Sequence, residues 1–398
     1  MVTTASSSTD ARYRTYPGDG YEGVVHVSFG GYYGSGALLF DGRAILTSAH
    51  LFSGKTGTAS ITFVTREGVQ TFDAAKIAQH PGYDTNSNND LAIVWLARSA
   101  PKAADRYALY NDSNEIGQSF TFAGYGLTGV GANGATSRAS SLTPLKASND
   151  FDAEAATLKN YLGTSMGWTP LAGTQLVADF DNGYLANDAL GQLIYRSGLG
   201  LGLDEGMIAQ GDSGGPAFVA GKLAGVASYT ASLINGDVAP DIDDMDNSSF
   251  GELGVWQRVS AYQQWIDQTL RINYQNAPTK AEDVRTQIVE GDDGGIVYFM
   301  LKFTGVRSKP DQILSVDYAT RDGSATSDSD YISVRGRLNL YPGEDQAVIP
   351  IEIIDDALSE PGETFYLDVF NPVGGSFGEG VVKLTAVRTI IDNDGWFA

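Results

Sequence analysis

Short runs rich in β-branched and aromatic residues recur along the whole chain, and this pattern constrains its fold more than any other feature. The earlier runs include GVVHVSF, GALLF, RAILTSA, SITFVT and DLAIVWL, with clusters of Gly, Asn, Asp and Ser between them. Later runs such as ILSVDYAT, AVIPIEII and TFYLDVF alternate apolar and polar residues. Runs of this kind, bounded by turn residues, are typical of β-strands. We therefore predict an all-β protein.

The size of the chain favours more than one domain, because 398 residues exceed what one hydrophobic core usually organises. A polar segment without periodicity, RINYQNAPTKAED, separates two regions of different composition. We predict a first domain at 1–274, in which 1–20 is a leader or activation segment, a linker at 275–282 and a second domain at 283–398. A helix within SAYQQWIDQTL is expected to close the first domain.

Charge and composition exclude several classes of function. The net charge of −22 repels a phosphate backbone and an anionic bilayer, so nucleic-acid binding through bulk charge is disfavoured. No run of apolar residues is long enough for a membrane span, and the first residues lack the apolar stretch of a signal peptide. The chain has no cysteine, which excludes disulfides, thiolate metal sites and thiol nucleophiles. The oligomeric state cannot be read from the sequence.

The strongest chemical signal is the hexapeptide GDSGGP, which contains Ser213. Its glycines allow a sharp turn that exposes the serine hydroxyl and the neighbouring backbone amides. A hydroxyl is a poor nucleophile until a positioned base removes its proton, so a histidine and a group that orients it are required.

Three histidines could supply that base. His50 ends AILTSAH directly after an apolar strand, whereas His26 lies inside a strand and His80 in a loop, so position favours His50. Asp90 stands where the polar loop SNND enters an apolar strand, which would bury its carboxylate beside an imidazole. The resulting order along the chain is His, Asp, Ser.

TSAH, NNDLAI and GDSGGP together resemble the trypsin-like serine proteases of the chymotrypsin fold, and the similarity covers 20–271, including a Gly-Tyr-Gly that resembles the family's Gly-Trp-Gly. The resemblance implies a double β-barrel with the active site between the barrels. It also implies His50 as general base, Asp90 as the group that fixes its tautomer and Ser213 as nucleophile. The amides of Gly211 and Ser213 would form the oxyanion hole.

The same resemblance places Met207 at the floor of the pocket for the P1 side chain. An uncharged floor gives a Lys or Arg side chain no counter-ion, so cleavage after apolar residues is expected. Thr230 replaces a usual glycine and is expected to narrow the entrance. The pocket residues implied besides Met207 are Ile208, Ser228, Tyr229, Thr230 and Gly254.

The sequence departs from the family in two respects. Active members usually expose an amino terminus of the Ile-Val-Gly-Gly kind, which pairs with the Asp beside the nucleophile, here Asp212. No such motif precedes His50, so either a cut within SSSTDARYRTYPGDG frees a less typical terminus or Asp212 has another partner. Ser35, Leu51 and Ala209 stand where half-cystines would be expected, so packing must replace the crosslinks.

An acidic segment at 236–252, GDVAPDIDDMDNSSFGE, has two interpretations. Clustered carboxylates can chelate calcium. Its spacing does not match an EF-hand loop, however, and an acidic run is more often only a solvated loop.

The second domain is the more acidic one, with 21 Asp and Glu against 9 Lys and Arg in residues 281–398. Its carboxylates stand at strand edges, and strand ends in a β-sandwich can gather at one pole and form a cage of oxygens suited to Ca²⁺. From DYATRDG to the final IIDND the region resembles the Calx-β motif, with Asn393 where some members have aspartate. The resemblance implies an Ig-like β-sandwich and the calcium ligands Glu290, Asp330, Asp355, Asp356, Glu360, Asp392 and Asp394.

These observations favour a secreted bacterial serine endopeptidase that acts on protein or peptide substrates and carries a calcium-binding Calx-β domain. The alternative is a catalytically silent, calcium-dependent adhesion or matrix-binding protein, in which both folds serve only as binding surfaces.

Overall fold

The computed structural model describes residues 2–138, 142–291 and 295–394. Strands make up 40% of the structure and helices 12%, so the predicted all-β class is confirmed. The chain divides into two compact units. One unit consists of Met1–Leu39, Arg43–Ala97 and Ala103–Gln263, and the other of Phe40–Gly42, Arg98–Lys102 and Gln264–Ala398. The second unit contains the chain from residue 264 onward, so the predicted linker at 275–282 lies within that unit. Its role as a linker stays a prediction.

The first unit begins with a buried strand, β1, at Val2–Thr4. It pairs with two strands that come much later in the chain, and Val2 stands opposite Ile208. All three residues of β1 are fully buried. Part of the segment that the sequence suggests as a leader or activation segment therefore belongs to the folded body.

A closed barrel of six strands forms the first half of the unit, in the order β2, β3, β4, β7, β6, β5. In β5 every second residue is buried, which is the pattern that the alternating sequence SITFVT predicts, whereas β7 is buried throughout. The strands are β2 (Val24–Phe29), β3 (Tyr32–Leu38), β4 (Ala44–Thr47), β5 (Ser60–Thr65), β6 (Gly68–Gln79) and β7 (Ala92–Leu96).

Two sheets build the second half of the unit around an aromatic core. Phe120 and Phe151 stack with 3.8 Å between ring centroids, and the fully buried Trp256 meets both rings edge-on. The strands are β8 (Ser119–Gly124), β9 (Leu127–Val130), β10 (Gly134–Arg138), β11 (Leu145–Asp150), β12 (Ala153–Glu154), β13 (Gln175–Asp179), β14 (Gly206–Ile208), β15 (Pro216–Val219), β16 (Lys222–Ala231) and β17 (Leu253–Arg258). Two helices accompany them, α1 (Ala155–Leu162) and α2 (Ala189–Ile194).

The predicted closing helix is α3, Gln263–Asn273, which buries Ile266 and Leu270 one turn apart. Most of this helix is grouped with the second unit. There the Asp267 carboxylate accepts a hydrogen bond of 2.7 Å from the Tyr341 hydroxyl, and Arg271 forms an ion pair of 2.8 Å with Glu344.

The rest of the second unit is a β-sandwich. A sheet in the order β18, β24, β23, β20, β21 faces a pair formed by β19 and β22, and the stacked Tyr331 and Phe365 lie in the core between them. The strands are β18 (Gln287–Val289), β19 (Ile296–Lys302), β20 (Leu314–Asp322), β21 (Arg335–Leu340), β22 (Gln346–Glu352), β23 (Glu363–Val373) and β24 (Lys383–Ile391). In the described part of the chain, no helix has the length and apolar character needed to cross a bilayer.

Candidate functional site

Strand pairing brings His50 and Asp90 together across forty residues of sequence. His50 lies in a 3₁₀ turn, Ala49–Leu51, that follows β4, and Asp90 lies just before β7. The last residue of β4, Thr47, pairs with the first residue of β7, so the turn and the aspartate meet. One carboxylate oxygen of Asp90 accepts the His50 backbone N–H at 2.8 Å, and the other lies 2.7 Å from the imidazole Nδ1.

The Asp90 carboxylate has no exposed surface, whereas the His50 side chain keeps 31% of its own. The Ser228 hydroxyl donates to the same carboxylate at 2.5 Å, and Ser228 in turn accepts a bond from the Gln257 amide at 3.3 Å. The sequence analysis predicts Ser228 only as a residue of the pocket wall, and the contact with Asp90 is seen only in the tertiary structure. Asp90 is therefore fixed from three directions, and it orients a ring that solvent can reach.

The loop that carries Ser213 joins β14 to β15 and depends on its glycines. Gly211 has a φ of +95° and Gly214 a φ of +82°. A Cβ on Gly211 would lie 2.4 Å from the Tyr33 ring, and one on Gly214 would lie 2.0 Å from the Thr47 hydroxyl. Any side chain at either position would therefore strain the backbone and collide with its surroundings. The close approach to Thr47 also seats the loop beside the strand that leads to His50.

Two backbone amides of this loop are available to a ligand. In the described residues neither the Gly211 N–H nor the Ser213 N–H donates to a protein acceptor. The Ser213 carbonyl accepts the Ser35 N–H at 2.8 Å, which holds the loop to β3. Two free N–H groups beside a serine hydroxyl are the donors that an oxyanion needs.

Ser35 links three segments at a position where the family would have a half-cystine. Its hydroxyl donates to the Gly211 carbonyl at 3.1 Å and accepts the Tyr125 N–H at 2.9 Å. Leu51, at the partner position, is 5% exposed and packs against Gly34. A polar bridge and apolar packing thus stand in place of the crosslink.

Asp212, beside the nucleophile, is buried with both oxygens engaged. One accepts the Gly126 N–H at 2.8 Å and the other the Ala209 N–H at 2.9 Å. Burial raises the pKa of the Asp212 carboxyl, and the hydrogen bonds from the Ala209 and Gly126 N–H groups oppose this shift.

A cavity of about 470 Å³ opens next to Ser213. Of the predicted pocket residues, Ile208, Ser228, Tyr229 and Thr230 line it. Met207 is instead fully buried in the core, with its sulfur against Gly254, and neither of these two is among the described residues that line the cavity.

The acidic segment at 236–252 contributes one wall of this cavity. The exposed Asp246 lines it and accepts a hydrogen bond of 2.9 Å from the Thr230 hydroxyl. Asp241 accepts bonds from Ser232 and Ser249 at 2.6 and 3.0 Å. In the described residues no three carboxylates of this segment come close enough to share one ion. Sequence reasoning did not associate Asp246 with the pocket, because the contact depends on how the long loop folds back.

The other two histidines make structural contacts. His26 stacks on Tyr33 with 5.4 Å between ring centroids and meets Tyr125 edge-on. The His80 Nδ1 accepts the Gly82 N–H at 3.1 Å.

The predicted calcium ligands of the second unit gather in two adjoining groups. Carboxylate oxygens of Glu290, Asp392 and Asp394 lie within 4.8 Å of one another. Burial raises the pKa of Glu290 to about 7, and the charges of Asp392, Asp356, Asp355 and Glu360 add to this shift.

Asp330 and Glu360 form the second group with Glu363, again within 4.8 Å of one another. Glu363 is not among the ligands that the sequence suggests. It is the first residue of β23 and lies three residues after Glu360, and this proximity is the signal that could have identified it. Asn393 connects the first group further, since its amide donates to the Glu290 carbonyl at 2.8 Å and to the Asp355 carboxylate at 3.3 Å. Oxygen clusters at one pole fit the requirements of Ca²⁺.

Comparisons with known proteins agree with this division of the chain. The trypsin family model matches residues 13–153 and the Calx-beta domain model matches residues 285–394. Serine protease 1 of the dog, Canis lupus familiaris, is 26% identical over 251 residues, which are 61% of this chain and 82% of that protein. Ser213 lies beyond the residues that the trypsin family model matches, so its assignment depends on its motif and its surroundings.

The second unit is similar to sodium/calcium exchangers. The exchanger Calx of Drosophila melanogaster is 40% identical over 83 residues, and exchanger 2 of Homo sapiens is 40% identical over 92 residues. Each match covers 20% of this chain, and the chain spans only 8% and 10% of those two proteins. Among solved structures, mouse neuropsin, a serine protease expressed in the limbic system of mouse brain, matches with a TM-score of 0.47 and 19% identity, over 65% of this chain and 98% of that chain.

Proposed function

We propose that this chain, which carries a trypsin-like domain followed by a Calx-β domain, is a serine endopeptidase that hydrolyses peptide bonds in protein substrates. The observation that carries the proposal is the setting of the His50 ring. A buried carboxylate, Asp90, contacts the ring at Nδ1 and the backbone N–H of the same residue, and a glycine-bounded loop beside the same strand presents Ser213 with two free amides.

The chemistry follows from which nitrogen of His50 faces Asp90. Because the carboxylate accepts at Nδ1, the Nε2 lone pair is left to act as a base. Nε2 takes the proton of the Ser213 hydroxyl as the oxygen attacks the scissile carbonyl, and the Gly211 and Ser213 amides donate to the oxyanion that forms. His50 then returns the proton to the leaving amine, and water hydrolyses the acyl-enzyme by the same steps.

Proton transfer requires contact between Ser213 and His50. In the described residues no hydrogen bond joins their side chains. Catalytic hydrogen bonds are often long in free enzymes and tighten when substrate binds. The proposal therefore includes a closer approach of the two groups in the complex with substrate.

The walls of the cavity support a preference for apolar P1 residues. Ile208, Ala209 and Tyr229 line the cavity beside Ser213, and Thr230 lines it as well. Asp246 lines the same cavity but is exposed, so water screens its charge. We assign it no role as a counter-ion for a basic P1 side chain.

The acidic pole of the Calx-β domain is proposed to bind Ca²⁺. Glu290, Asp392 and Asp394 would hold the ion, with Asp355 and Asp356 adjacent, and Asp330, Glu360 and Glu363 would form a second set. A bound cation would neutralise carboxylates that otherwise repel one another.

Export from the cell is also proposed. A calcium-dependent module attached to an endopeptidase is suited to an environment rich in that ion. Cell fractionation of the native source would test this, and a protein found entirely in the cytosol would contradict it.

Covalent labelling tests the central proposal. The full chain is treated with a serine-directed fluorophosphonate, and adducts are located by mass spectrometry in wild type, Ser213→Ala, His50→Ala and, as a matched control, His80→Gln. We expect an adduct on Ser213 in wild type and the control only. No adduct on the wild type, before and after limited cleavage within residues 1–20, would favour the silent adhesion or matrix-binding protein instead.

A further inference from the structure

A second cluster of carboxylates lies in the first unit, on the segment that precedes the Ser213 loop. Oxygens of Asp179, Asp181 and Asp188 lie within 4.8 Å of one another, and all three residues are buried. Asp179 ends β13, and Asp188 comes just before α2. Glu205 lies directly before β14, and its carboxylate accepts a hydrogen bond of 2.7 Å from the Asp181 backbone N–H.

Backbone and hydroxyl donors satisfy only part of this cluster. Asp179 accepts the Leu190 N–H at 2.7 Å. Asp188 accepts the Gly191 N–H at 2.7 Å and the Ser197 hydroxyl at 2.6 Å. These bonds fix the two carboxylates in position and leave their remaining lone pairs directed elsewhere.

Asp181 is the member of the cluster whose carboxylate lacks a hydrogen bond from these donors. It is 4% exposed, and its Oδ1 is buried without a hydrogen-bond partner in the described part of the chain. An orphaned carboxylate oxygen in a buried site is costly unless something compensates its charge. Because Asp181 belongs to the group whose oxygens converge within 4.8 Å, a positive ion at that point would supply the missing partner.

Among the residues that the structure describes, no protein cation takes that role. In the described residues no Lys or Arg forms an ion pair with Asp152, Asp179, Asp181, Asp188 or Glu205. Burial, reinforced by the neighbouring carboxylates, raises the pKa of Asp181 to about 9 and that of Asp152 to about 8. It also raises the pKa of Glu205 to about 8. These raised pKa values reflect burial and the mutual repulsion of carboxylates that lie close together.

We propose that Asp179, Asp181 and Asp188 bind a Ca²⁺ ion that is separate from any ion of the Calx-β domain. The ligands are hard oxygens from three carboxylates whose spacing follows an irregular loop, and Ca²⁺ accepts six to eight such oxygens in flexible geometry. Mg²⁺ demands near-ideal octahedral geometry and gives up its water reluctantly, so it suits this site less well.

The position of the site connects it to the pocket. Asp179 pairs with Leu253 at the start of β17, and Glu205 leads directly into β14, whose last residue, Ile208, lines the cavity. An ion at the cluster would tie the ends of these strands to the loop between them. Calcium bound here would thus order one side of the substrate pocket.

Counting bound calcium in the full chain tests the assignment. The Asp355→Ala, Asp356→Ala double variant serves as the background, so that the Calx-β domain contributes less. Three single substitutions are added separately to this background: Asp181→Asn, Asp188→Asn and, as a matched control, the exposed Asp112→Asn. Asp188→Asn keeps a residue that is able to cap α2. Equilibrium dialysis against ⁴⁵Ca²⁺ at neutral pH gives the number of ions per chain.

We expect Asp181→Asn and Asp188→Asn to bind one Ca²⁺ fewer per chain than Asp112→Asn. We also expect Asp181→Asn to gain less in melting temperature from CaCl₂, relative to EDTA, than its parent does. Equal calcium counts in all variants would overturn the proposal. Equal protection of the parent by MgCl₂ at the same concentration would overturn the choice of calcium.

Discussion

Asp90 holds His50 at two points, through the backbone N–H at 2.8 Å and the imidazole Nδ1 at 2.7 Å. The backbone contact fixes the turn, and the ring contact fixes the tautomer. A substitution at Asp90 that keeps the shape of the side chain can therefore preserve the turn and still disable His50 as a base.

We expect Asp90→Asn to lower kcat by about 10⁴-fold, because the amide favours the wrong tautomer of His50 while occupying the same space. Steady-state hydrolysis of a peptide amide measures the effect, and circular dichroism checks that the fold is kept. A folded variant with wild-type kcat would remove Asp90 from the mechanism.

The second prediction concerns the P1 residue. A peptide library should be cut after Phe, Tyr, Leu or Met in preference to Lys or Arg, with the largest rings disfavoured by Thr230. Asp246→Asn should leave this order unchanged, since water screens the exposed carboxylate. Preferential cutting after Arg that disappears in Asp246→Asn would show that this carboxylate, and not the apolar wall, selects the substrate.

The third prediction is that Ca²⁺ stabilises the Calx-β domain. An ion that binds only the folded state, at about 100 times its dissociation constant, adds about 2.7 kcal/mol to the free energy of unfolding. The full chain should therefore melt several degrees higher in CaCl₂ than in EDTA at matched ionic strength. In Asp355→Ala, Asp356→Ala the transition of this domain should lose that gain, and an unchanged gain would rule out the pole as the site.

The fourth prediction concerns pH in the absence of calcium. Asp152, Asp181 and Glu205 have folded-state pKa values of about 8, 9 and 8, above those of the unfolded chain, so the folded protein binds protons more tightly. Their contribution to stability is present at low pH and is lost as pH rises towards these values. Urea unfolding in EDTA should show a free energy of unfolding that falls from pH 6.5 to 9. Asp181→Asn should make that fall shallower, and a rise over the same range would contradict the assignment.

The fifth prediction tests a buried ion pair in the first unit. The Arg258 guanidinium donates to Glu115, which has no exposed surface, at 2.8 Å through Nε, and its Nη1 lies 2.9 Å from Glu154. Arg258→Met should lower the free energy of unfolding by about 3–5 kcal/mol, because a buried carboxylate loses its cation. Adding Glu115→Gln should recover part of the loss. A double variant no more stable than Arg258→Met would mean that packing, and not charge, makes Arg258 necessary.

Local patterns were enough to predict much of this protein. The alternation in SITFVT predicts a strand with one buried face, and the apolar run that ends at Leu96 predicts a strand with both faces buried, because neighbouring residues of a strand point to opposite faces. GDSGGP identifies its own turn, since the two flanking glycines have the positive φ that the loop requires. The two regions of different composition correspond to a trypsin-like domain and a Calx-β domain.

Contacts between distant segments were decided only by the tertiary structure. Ser228 reaches Asp90, Ser35 joins Gly211 to Tyr125, and Met207 turns into the core, each through strand registers that no local pattern specifies. The convergence of the aspartates on 179–188 likewise depends on how an irregular loop is closed by β13 and α2. A sequence fixes which side chains alternate along a strand, whereas the distance between two side chains on different strands depends on the packing of the whole sheet, and it is that distance which makes a catalytic pair or a metal site.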